Sequence, residues 1–259
     1  MQHFFLEGIR IAPGSDVDLA SLHHQLWRVL RLRVKDRIIL LDNKDSAFLC
    51  ELTSIGAAGA TGHVLERTPI TSEPQLSLTL YQCLLKGDKF EWVLQKGTEL
   101  GVVRFVPVFS QRVVVRSGTA VRKKYARWCT IIREAAEQCG RGRLPSLEAP
   151  VDLATAVQVV EGCRLAPWEE ATGEMGLLAA LRHLESNGNG VQPSSISVLI
   201  GPEGGLESKE VEMARETGWQ IVTLGQRILR AETAAVATTS LIMGWAHELG
   251  GKQCMGHHV

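Results

Sequence analysis

The order of hydrophobic and polar residues near the start of the chain predicts a small unit rich in β-structure. Asp36–Asp42, Ala47–Thr53 and Ala60–Glu66 are short apolar runs typical of strands. Asn43–Ser46 separates the first two runs and is typical of a turn. Ala20–Leu30 has the spacing of a helix, with four residues on its inner side: Leu22, Leu26, Val29 and Leu30.

A linker and then an alternation of strands and helices are predicted for the rest. Arg67–Pro74 is interpreted as the linker, because two prolines stand among mostly polar residues. The predicted strands are Leu76–Tyr81, Val102–Phe109, Cys163–Ala166, Ile196–Ile200 and Gln220–Leu224. The predicted helices are Asp88–Gly101, Thr119–Cys139, Ser208–Thr217 and Glu232–Glu248. This alternation predicts an α/β fold whose parallel sheet is covered on both sides.

The first of these helices carries signals at both ends. Asp88 is predicted to cap its start together with Glu91, and Gly101 is predicted to stop it. Its inner face is predicted to consist of Phe90, Val93, Leu94 and Gly97. The corresponding face of the second helix is Trp128, Ile131, Ile132 and Ala135.

Composition is that of an ordinary soluble protein, with 45% hydrophobic and 22% charged residues among 259. The longest nearly apolar stretch, Ala234–Ala246, is too short to cross a bilayer. Met1–Phe5 does not have the pattern of a signal peptide. We therefore expect a cytoplasmic protein with no membrane partner.

The six cysteines are scattered and form no CxxC pair. Four of them fall inside predicted strands or helices and are expected to be buried, reduced thiols: Cys50, Cys83, Cys129 and Cys163. Cys254, His257 and His258 lie close together near the end. Because no further ligand pattern accompanies them, we interpret them as a frayed tail and predict no metal site.

Charge is balanced overall but not along the chain. The formal net charge is zero, yet Ser110–Arg143 contains nine Lys or Arg against two Glu. Leu22–Arg37 contains five against one Asp. Such basic stretches attract phosphates, although a solvated helix face gives the same pattern.

Two glycine-containing loops are the strongest candidates for a binding site. Val198–Gly205 ends a buried strand in a loop with three glycines and a proline, and a helix follows. Such a loop lets the backbone approach a ligand, but a tight turn without a ligand explains it as well. The loop matches neither the dinucleotide-binding fingerprint nor the P-loop.

The second loop, Leu224–Ala234, also follows a strand and opens a helix. Glu232 and Thr233 stand in the first helical turn, where an acid or a hydroxyl favours helix formation. Arg230 is unexpected, because a cation beside a helix N-terminus opposes the helix dipole. This position indicates another task for Arg230.

These loops resemble those of the RsmE family, the small-subunit ribosomal RNA (uracil-N3)-methyltransferases of the SPOUT superfamily. The resemblance extends over essentially the whole chain. It rests on Ile200–Gly205, Leu224–Ala234, Lys86–Val102, Arg133–Arg141 and Trp27–Arg31.

The chain departs from the family pattern at two turns. Lys35-Asp36 stands where the family usually has Gly-Asp, and Glu207 stands where a helix-capping serine is expected. Both departures lie outside the segments on which the predicted chemistry depends.

The resemblance implies an α/β SPOUT methyltransferase domain with a C-terminal deep trefoil knot, preceded by a small PUA-like β-barrel domain. We place the barrel, which would bind RNA, at residues 1–68, a linker at 69–75, the SPOUT domain at 76–250 and a tail at 251–259. The implied cofactor is S-adenosylmethionine (SAM). The implied partners are ribosomal RNA, or the small ribosomal subunit, and a second copy of the chain in a homodimer.

The resemblance also implies where SAM binds. The knot loops and a third loop, around Pro167 and Trp168, would surround it. The implied SAM-binding residues are Leu199, Ile200, Gly201, Pro202, Gly204, Gly205, Leu224, Gly225, Ile228, Leu229, Arg230, Thr233, Ala234, Pro167 and Trp168.

Candidate catalytic residues follow from the substrate that the resemblance implies. Uracil N3 carries a weakly acidic proton, so methylation requires a base and a cation that stabilises the anion. Arg230 is the candidate for the cation. Glu232 or Glu203 is the candidate for the base, although a capping role explains either glutamate as well.

Candidate RNA contacts remain ambiguous in the sequence. Arg133, Glu137 and Arg141 share one helix face, which suits a salt-bridged surface, whereas the resemblance implies a substrate-facing or dimer-facing stripe. Lys96 carries the same ambiguity. The N-terminal basic stretch adds three further candidates for phosphate contacts: Arg28, Arg31 and Arg33.

Two alternative functions remain open. A SPOUT methyltransferase acting on another RNA base or on a 2′-hydroxyl has the same cofactor motifs. A non-catalytic RNA-binding assembly factor with the same fold is the alternative from another class, and the intact glycine loops argue against it.

Overall fold

The described residues form two compact units. A computed structural model describes residues 1–44, 46–113, 118–158, 162–187 and 191–250. Unit 1 combines Met1–Glu73 with Arg133–Leu144, and unit 2 holds the other described residues. Arg133–Leu144 was expected to belong to the second domain, 76–250, but by its contacts it belongs to unit 1.

Unit 1 is built on a five-stranded sheet. Its strands are β1 (His3–Phe5), β2 (Asp16–Asp18), β3 (Arg37–Leu41), β4 (Ser46–Gly56) and β5 (Gly59–Pro69). Their order is β1-β3-β4-β5-β2, with β1 parallel to β3 and the other pairs antiparallel. The predicted strands of this segment are confirmed, and the core beneath them includes Phe4, Ile38, Leu40, Leu52 and Val64. The predicted linker begins too early, because β5 continues through Arg67–Pro69 and pairs there with β4.

The predicted single helix over Ala20–Leu30 is wrong. The segment forms a short 3-10 helix, Ala20–Leu22, followed by a π-helix, His24–Val29. In the π-helix the amide of Leu30 donates to the carbonyl of Gln25, five residues earlier, at 3.0 Å. This wider turn changes the helical spacing, so Leu26 is buried while Val29 is 60% exposed.

Unit 2 contains a parallel sheet, as predicted. Its strands are β6 (Ser77–Cys83), β7 (Arg104–Phe109), β8 (Ser146–Leu147), β9 (Val151–Asp152), β10 (Cys163–Pro167), β11 (Ser195–Ile200) and β12 (Gln220–Val222). Their order is β12-β10-β11-β6-β7-β8, with β9 also paired to β7, and every pairing is parallel.

Within the ranges that the structure describes, six α-helices accompany these strands. They are α1 (Lys89–Glu99), α2 (Gly118–Cys139), α3 (Leu153–Gln158), α4 (Leu177–Asn187), α5 (Ser208–Glu216) and α6 (Ala231–Trp245). Helices α3 and α4 were not predicted from the sequence pattern. The signal for α4 was present, because Leu177, Ala180 and Leu181 are buried at helical spacing.

The ends of α1 confirm one prediction and correct another. Gly101 follows the helix with a φ of +98°, a conformation that favours glycine, so the predicted stop is confirmed. Asp88 occupies the N-cap position but makes no capping hydrogen bond through its side chain. Glu91 is buried and pairs with Arg127 at 2.7 Å, so the predicted Asp88–Glu91 capping pair is wrong.

The cysteines differ in their exposure. Cys50 and Cys83 are buried, and burial raises the pKa of the Cys83 thiol to about 12. Cys129 is exposed, so the prediction that it is buried is wrong, and Cys163 is half-buried. Cys254, with His257 and His258, lies outside the described residues.

The described part of the chain contains neither a metal-binding cluster nor a membrane-spanning helix. No group of three His, Cys, Asp or Glu side chains in residues 1–44, 46–113, 118–158, 162–187 and 191–250 is arranged to hold a metal ion. No helix in the same ranges is long and apolar enough to span a membrane.

The predicted stripe of Arg133, Glu137 and Arg141 does not face outward as a set. Glu137 accepts a hydrogen bond from the amide of Phe5 at 3.0 Å and is only 9% exposed. Arg141 is 4% exposed and pairs with Glu73 at 3.0 Å. These two side chains are thus engaged with residues of unit 1, and their contact with RNA or a second copy stays a prediction.

Arg133 is also engaged within unit 1. Its guanidinium pairs with Glu7 at 2.5 Å and lies over the ring of Phe5. The guanidinium therefore contacts residues at the end of β1 and just after it. Arg133 is half-buried, so part of its side chain remains accessible.

Glu137 gives a testable dependence of stability on pH. Burial raises the pKa of Glu137 above its ordinary value, which is about 4.3 in unfolded chains. The folded state therefore binds the proton more tightly, and this stabilisation is present below about pH 4.3 and lost as pH rises through the folded pKa. The free energy of unfolding of the wild type, relative to Glu137→Gln, should rise as pH falls from 7 to 4.

Urea denaturation of both proteins at several pH values measures that difference. Glu66→Gln is the matched control, because Glu66 is exposed on the same unit. The prediction would be contradicted if the difference in free energy of unfolding between wild type and Glu137→Gln changed with pH no more than the difference between wild type and Glu66→Gln.

Candidate functional site

The main candidate site of unit 2 lies where three neighbouring strands end. β10 pairs with both β11 and β12 in parallel, so the carboxyl ends of all three reach the same edge of the sheet. Ligands in open α/β sheets commonly bind outside such an edge. The loops that follow the three strands surround a cavity of about 210 Å³.

The loop after β11 depends on glycines at two points. An added Cβ at Gly201 would lie 3.1 Å from the Leu206 side chain. Gly205 has a φ of +70°, and a Cβ there would overlap the carboxylate of Glu169. Both positions therefore let neighbouring groups lie directly against the backbone.

Gly204, in the same loop, faces away from the cavity. Its carbonyl accepts a hydrogen bond from Nη1 of Arg112 at 2.8 Å, and an added Cβ would lie 3.3 Å from the Arg112 Cβ. Arg112 also pairs with Glu207 at 3.7 Å. Arg112 therefore braces the outer side of the loop.

The loop after β12 carries an exposed hydrophobic residue and an arginine without an ion pair. Ile228 is 83% exposed and lines the cavity. Arg230 also lines it, stands at the N-cap of α6 and makes no ion pair with any residue in the described ranges. Its guanidinium is thus available to an anionic group.

A lysine joins two carboxylates at one side of the cavity. Nζ of Lys89 lies 3.6 Å from Oε1 of Glu203 and 3.6 Å from Oε1 of Glu232. Oε1 of Glu203 also accepts a hydrogen bond from the amide of Lys86 at 2.9 Å. Oε2 of Glu232 is buried and has no hydrogen-bond partner in the part of the chain that the structure describes. The cluster offers proton acceptors and a cation side by side.

The structure brings most of the predicted SAM-binding residues together. Twelve of the fifteen line the cavity: Ile200, Gly201, Pro202, Gly205, Leu224, Gly225, Ile228, Leu229, Arg230, Ala234, Pro167 and Trp168. Leu199 lies in the core, Gly204 faces Arg112, and Thr233 is exposed on α6. Of the predicted catalytic residues, Arg230 and Glu203 line the cavity and Glu232 adjoins it through Lys89.

Six lining residues were not predicted: Lys89, Glu169, Thr223, Gln226, Arg227 and Ala231. All six adjoin or lie within segments that the sequence pattern had already indicated. Lys89 belongs to Lys86–Val102, and Glu169 follows Trp168 directly. Nothing in the pattern showed that α1 approaches the loop after β11, so Lys89 could be found only from the fold.

The remaining predicted RNA contacts lie on the surface of their units. Arg28, Arg31 and Arg33 are exposed in unit 1, and the guanidinium of Arg28 lies 4.1 Å from the centre of a Trp27 ring. In unit 2, Lys96 is half-buried and pairs with Glu99 at 2.9 Å.

Family models match both parts of the chain. An RNA methyltransferase domain matches residues 71–243, and an RNA methyltransferase PUA domain matches residues 26–64. Among curated relatives, ribosomal RNA small subunit methyltransferase E of Bacillus subtilis is 34% identical, over 98% of this chain and all of the relative. Its namesake in Synechocystis is 34% identical, over 86% of this chain and 70% of the relative.

Solved structures agree with the sequence relatives. Ribosomal RNA small subunit methyltransferase E of Neisseria gonorrhoeae, bound to SAM, superposes with a TM-score of 0.82 at 32% identity, covering 94% of this chain and 97% of that one. A Legionella pneumophila structure with the bound cofactor SAM has a TM-score of 0.83 at 26% identity, covering 93% and 96%. With both domain models matched and relatives aligned along almost its whole length, the chain belongs to the RsmE family of small-subunit ribosomal RNA methyltransferases.

Proposed function

We propose that this protein transfers the methyl group of SAM to N3 of a uridine in small-subunit (16S) ribosomal RNA, during ribosome maturation. The observation that carries the proposal is the convergence of three separate loops on one cavity beside Lys89, Glu203 and Arg230. SAM-bound relatives of the same fold support the choice of cofactor.

The cavity fits SAM in its chemistry. Gly201 and Gly205 both line the cavity, and the absence of a Cβ lets Leu206 and Glu169 pack directly against their backbone. Trp168 lines the cavity, and its buried Nε1 has no partner in the described ranges, which leaves one donor for a ligand. SAM supplies an electrophilic methyl group on a sulfonium, and the three loops would hold and orient it.

The residues proposed to bind SAM directly are those that line the cavity. Leu199, Gly204 and Thr233 do not line it and are proposed to hold the loops in position. Leu199 anchors the end of β11 in the core, and Gly204 lets Arg112 close on the loop. These three would therefore affect SAM through the position of the loops.

A carboxylate must take the proton from N3. The uracil N3–H bond breaks, its proton passes to Glu232 or Glu203, and N3 then forms the new bond to carbon while the carbon–sulfur bond breaks. Lys89 holds both carboxylates in place and reduces the repulsion between them. Lys89 is thus a positioning residue for the base.

Arg230 is proposed to stabilise the anion that loss of this proton creates. The negative charge spreads onto the carbonyl oxygens that flank N3, and a planar guanidinium can donate to such an oxygen. Arg230 lines the cavity without an ion pair to any described residue, so its donors are available. N3 lies on the pairing edge of the base, so the uridine must be unpaired when it reacts.

Binding of RNA is proposed to start on the N-terminal segment. Residues 1–68 would act as the PUA-like β-barrel that binds RNA, with Arg28, Arg31 and Arg33 on phosphates, and Lys96 would add a contact from the catalytic segment 76–250. Residues 69–75 would link the two.

Further features are proposed on the strength of the family resemblance. They are a deep trefoil knot near the C-terminus, a cytoplasmic location and a homodimer. Light scattering of an active sample distinguishes that dimer from a monomer of 28.4 kDa.

Calorimetry with SAM tests the cavity. Gly205→Ala should weaken SAM binding by at least about tenfold, which corresponds to about 1.4 kcal/mol, because the new Cβ overlaps Glu169 and displaces the loop. Gly8→Ala is the matched control, since Gly8 also has a positive φ, of +76°, but a Cβ there meets nothing within 4 Å. Equal SAM affinity in folded Gly205→Ala and Gly8→Ala would remove the loop after β11 from the site.

Single-turnover kinetics test Arg230. Because its contact to the anion exists mainly in the transition state, Arg230→Ala should lower the methyl-transfer rate by about 100- to 1000-fold and leave SAM affinity within a few-fold. Arg230→Lys should recover part of the rate, because lysine keeps the positive charge but not the planar guanidinium. Higher pH should also recover part of the rate, because the uracil N3–H then loses its proton more readily without help. A near-normal rate in folded Arg230→Ala would refute this role.

A further inference from the structure

The carboxylate of Glu169 is a charged group in the cavity to which the mechanism gives no task. Glu169 follows β10, is exposed and lines the cavity beside Trp168. It makes no hydrogen bond through its side chain and no ion pair with any residue in the described ranges, unlike Glu203 and Glu232. Its acceptor oxygens are therefore free for a ligand.

Packing on the loop after β11 fixes where this carboxylate lies. A Cβ on Gly205 would overlap Oε1 of Glu169 and would lie 2.9 Å from its Cδ. The carboxylate thus rests directly on the backbone of the glycine loop, at a point where a side chain is excluded. The carboxylate lies against Gly205 without a hydrogen bond to any described residue, so it can accept hydrogen bonds from a ligand.

We propose that Glu169 binds the ribose hydroxyls of SAM and makes the cavity selective for ribonucleosides over their 2′-deoxy forms. The inference rests on the proposed use of SAM by this cavity. A carboxylate can accept hydrogen bonds from both hydroxyls of a vicinal diol, and acidic side chains recognise ribose in this way in other nucleotide sites.

The other groups of SAM fit Glu169 less well. The methionine end of SAM carries an ammonium and a carboxylate, and that carboxylate needs a cation close to it. Glu169 does not provide such a place, because no Lys or Arg of the described ranges pairs with it. Lys89, Glu203 and Arg230 offer both signs of charge elsewhere in the cavity. The sulfonium must face the RNA base. The adenine amino group presents its donors from a single nitrogen, whereas the diol presents two adjacent hydroxyls that match the two oxygens of Glu169.

Calorimetry with three probes tests this assignment. S-adenosylhomocysteine contains the ribose and the amino acid, 5′-methylthioadenosine keeps the ribose without the amino acid, and 2′-deoxy-5′-methylthioadenosine lacks one hydroxyl. The proteins are wild type, Glu169→Ala, Glu169→Gln and Glu170→Ala. Glu170 is the matched control, because it is the adjacent exposed glutamate and does not line the cavity.

Glu169→Ala should weaken binding of the first two probes equally, by about 10- to 100-fold, the value of hydrogen bonds to a charged group. Glu169→Ala should weaken binding of the 2′-deoxy probe less, because that probe has no 2′-hydroxyl and makes one hydrogen bond fewer to Glu169 in the wild type. Glu169→Gln should lose less, since its amide keeps one acceptor oxygen. Glu170→Ala should stay within about twofold of wild type.

Other results overturn the proposal in distinguishable ways. A loss confined to S-adenosylhomocysteine would place Glu169 on the ammonium. Equal losses for all three probes would make Glu169 a support of the loop. Unchanged affinities in Glu169→Ala, with wild type binding normally, would defeat the ribose contact alone, whereas a wild type that binds neither SAM nor its analogues would defeat the proposed function as well.

Discussion

Adjacency of three parallel strands is the constraint on which the candidate site depends. β10 lies between β11 and β12, and because all three run in the same direction their following loops meet at one edge. Parallel neighbours require crossovers, which here contain α4 and α5. Three segments that are distant in sequence therefore surround one cavity, and a change in the strand order would separate them.

Close approach of the backbone and a balance of charge give this cavity its chemistry. Side chains pack directly onto the glycine loop, as Glu169 does at Gly205. Lys89 lies between two carboxylates that would otherwise repel each other, one of them largely buried. Arg230 remains unpaired among the described residues, so the site can accept a developing negative charge.

Periodicity predicted the parallel sheet and both main loops, because buried parallel strands are continuous apolar runs that end in glycine. It did not predict short edge strands such as β1 and β2, since three residues carry no pattern. The π-helix at His24–Val29 was missed because its turn is wider than the helical spacing assumes. Lys89 was missed for another reason: its role arises from contacts with Glu203 and Glu232, which lie far along the chain.

Identity of the methylated nucleoside tests the proposed function most directly. Small-subunit ribosomal RNA that lacks the modification would be incubated with the protein and methyl-labelled SAM, digested to nucleosides and analysed by mass spectrometry. N3-methyluridine as the labelled product is the expected result, since the proposed mechanism needs a carboxylate to take the N3 proton and a cation near the anion, and the cavity has carboxylates and Arg230. Label on a 2′-hydroxyl or on another base, or no label with folded protein that binds SAM, would contradict it.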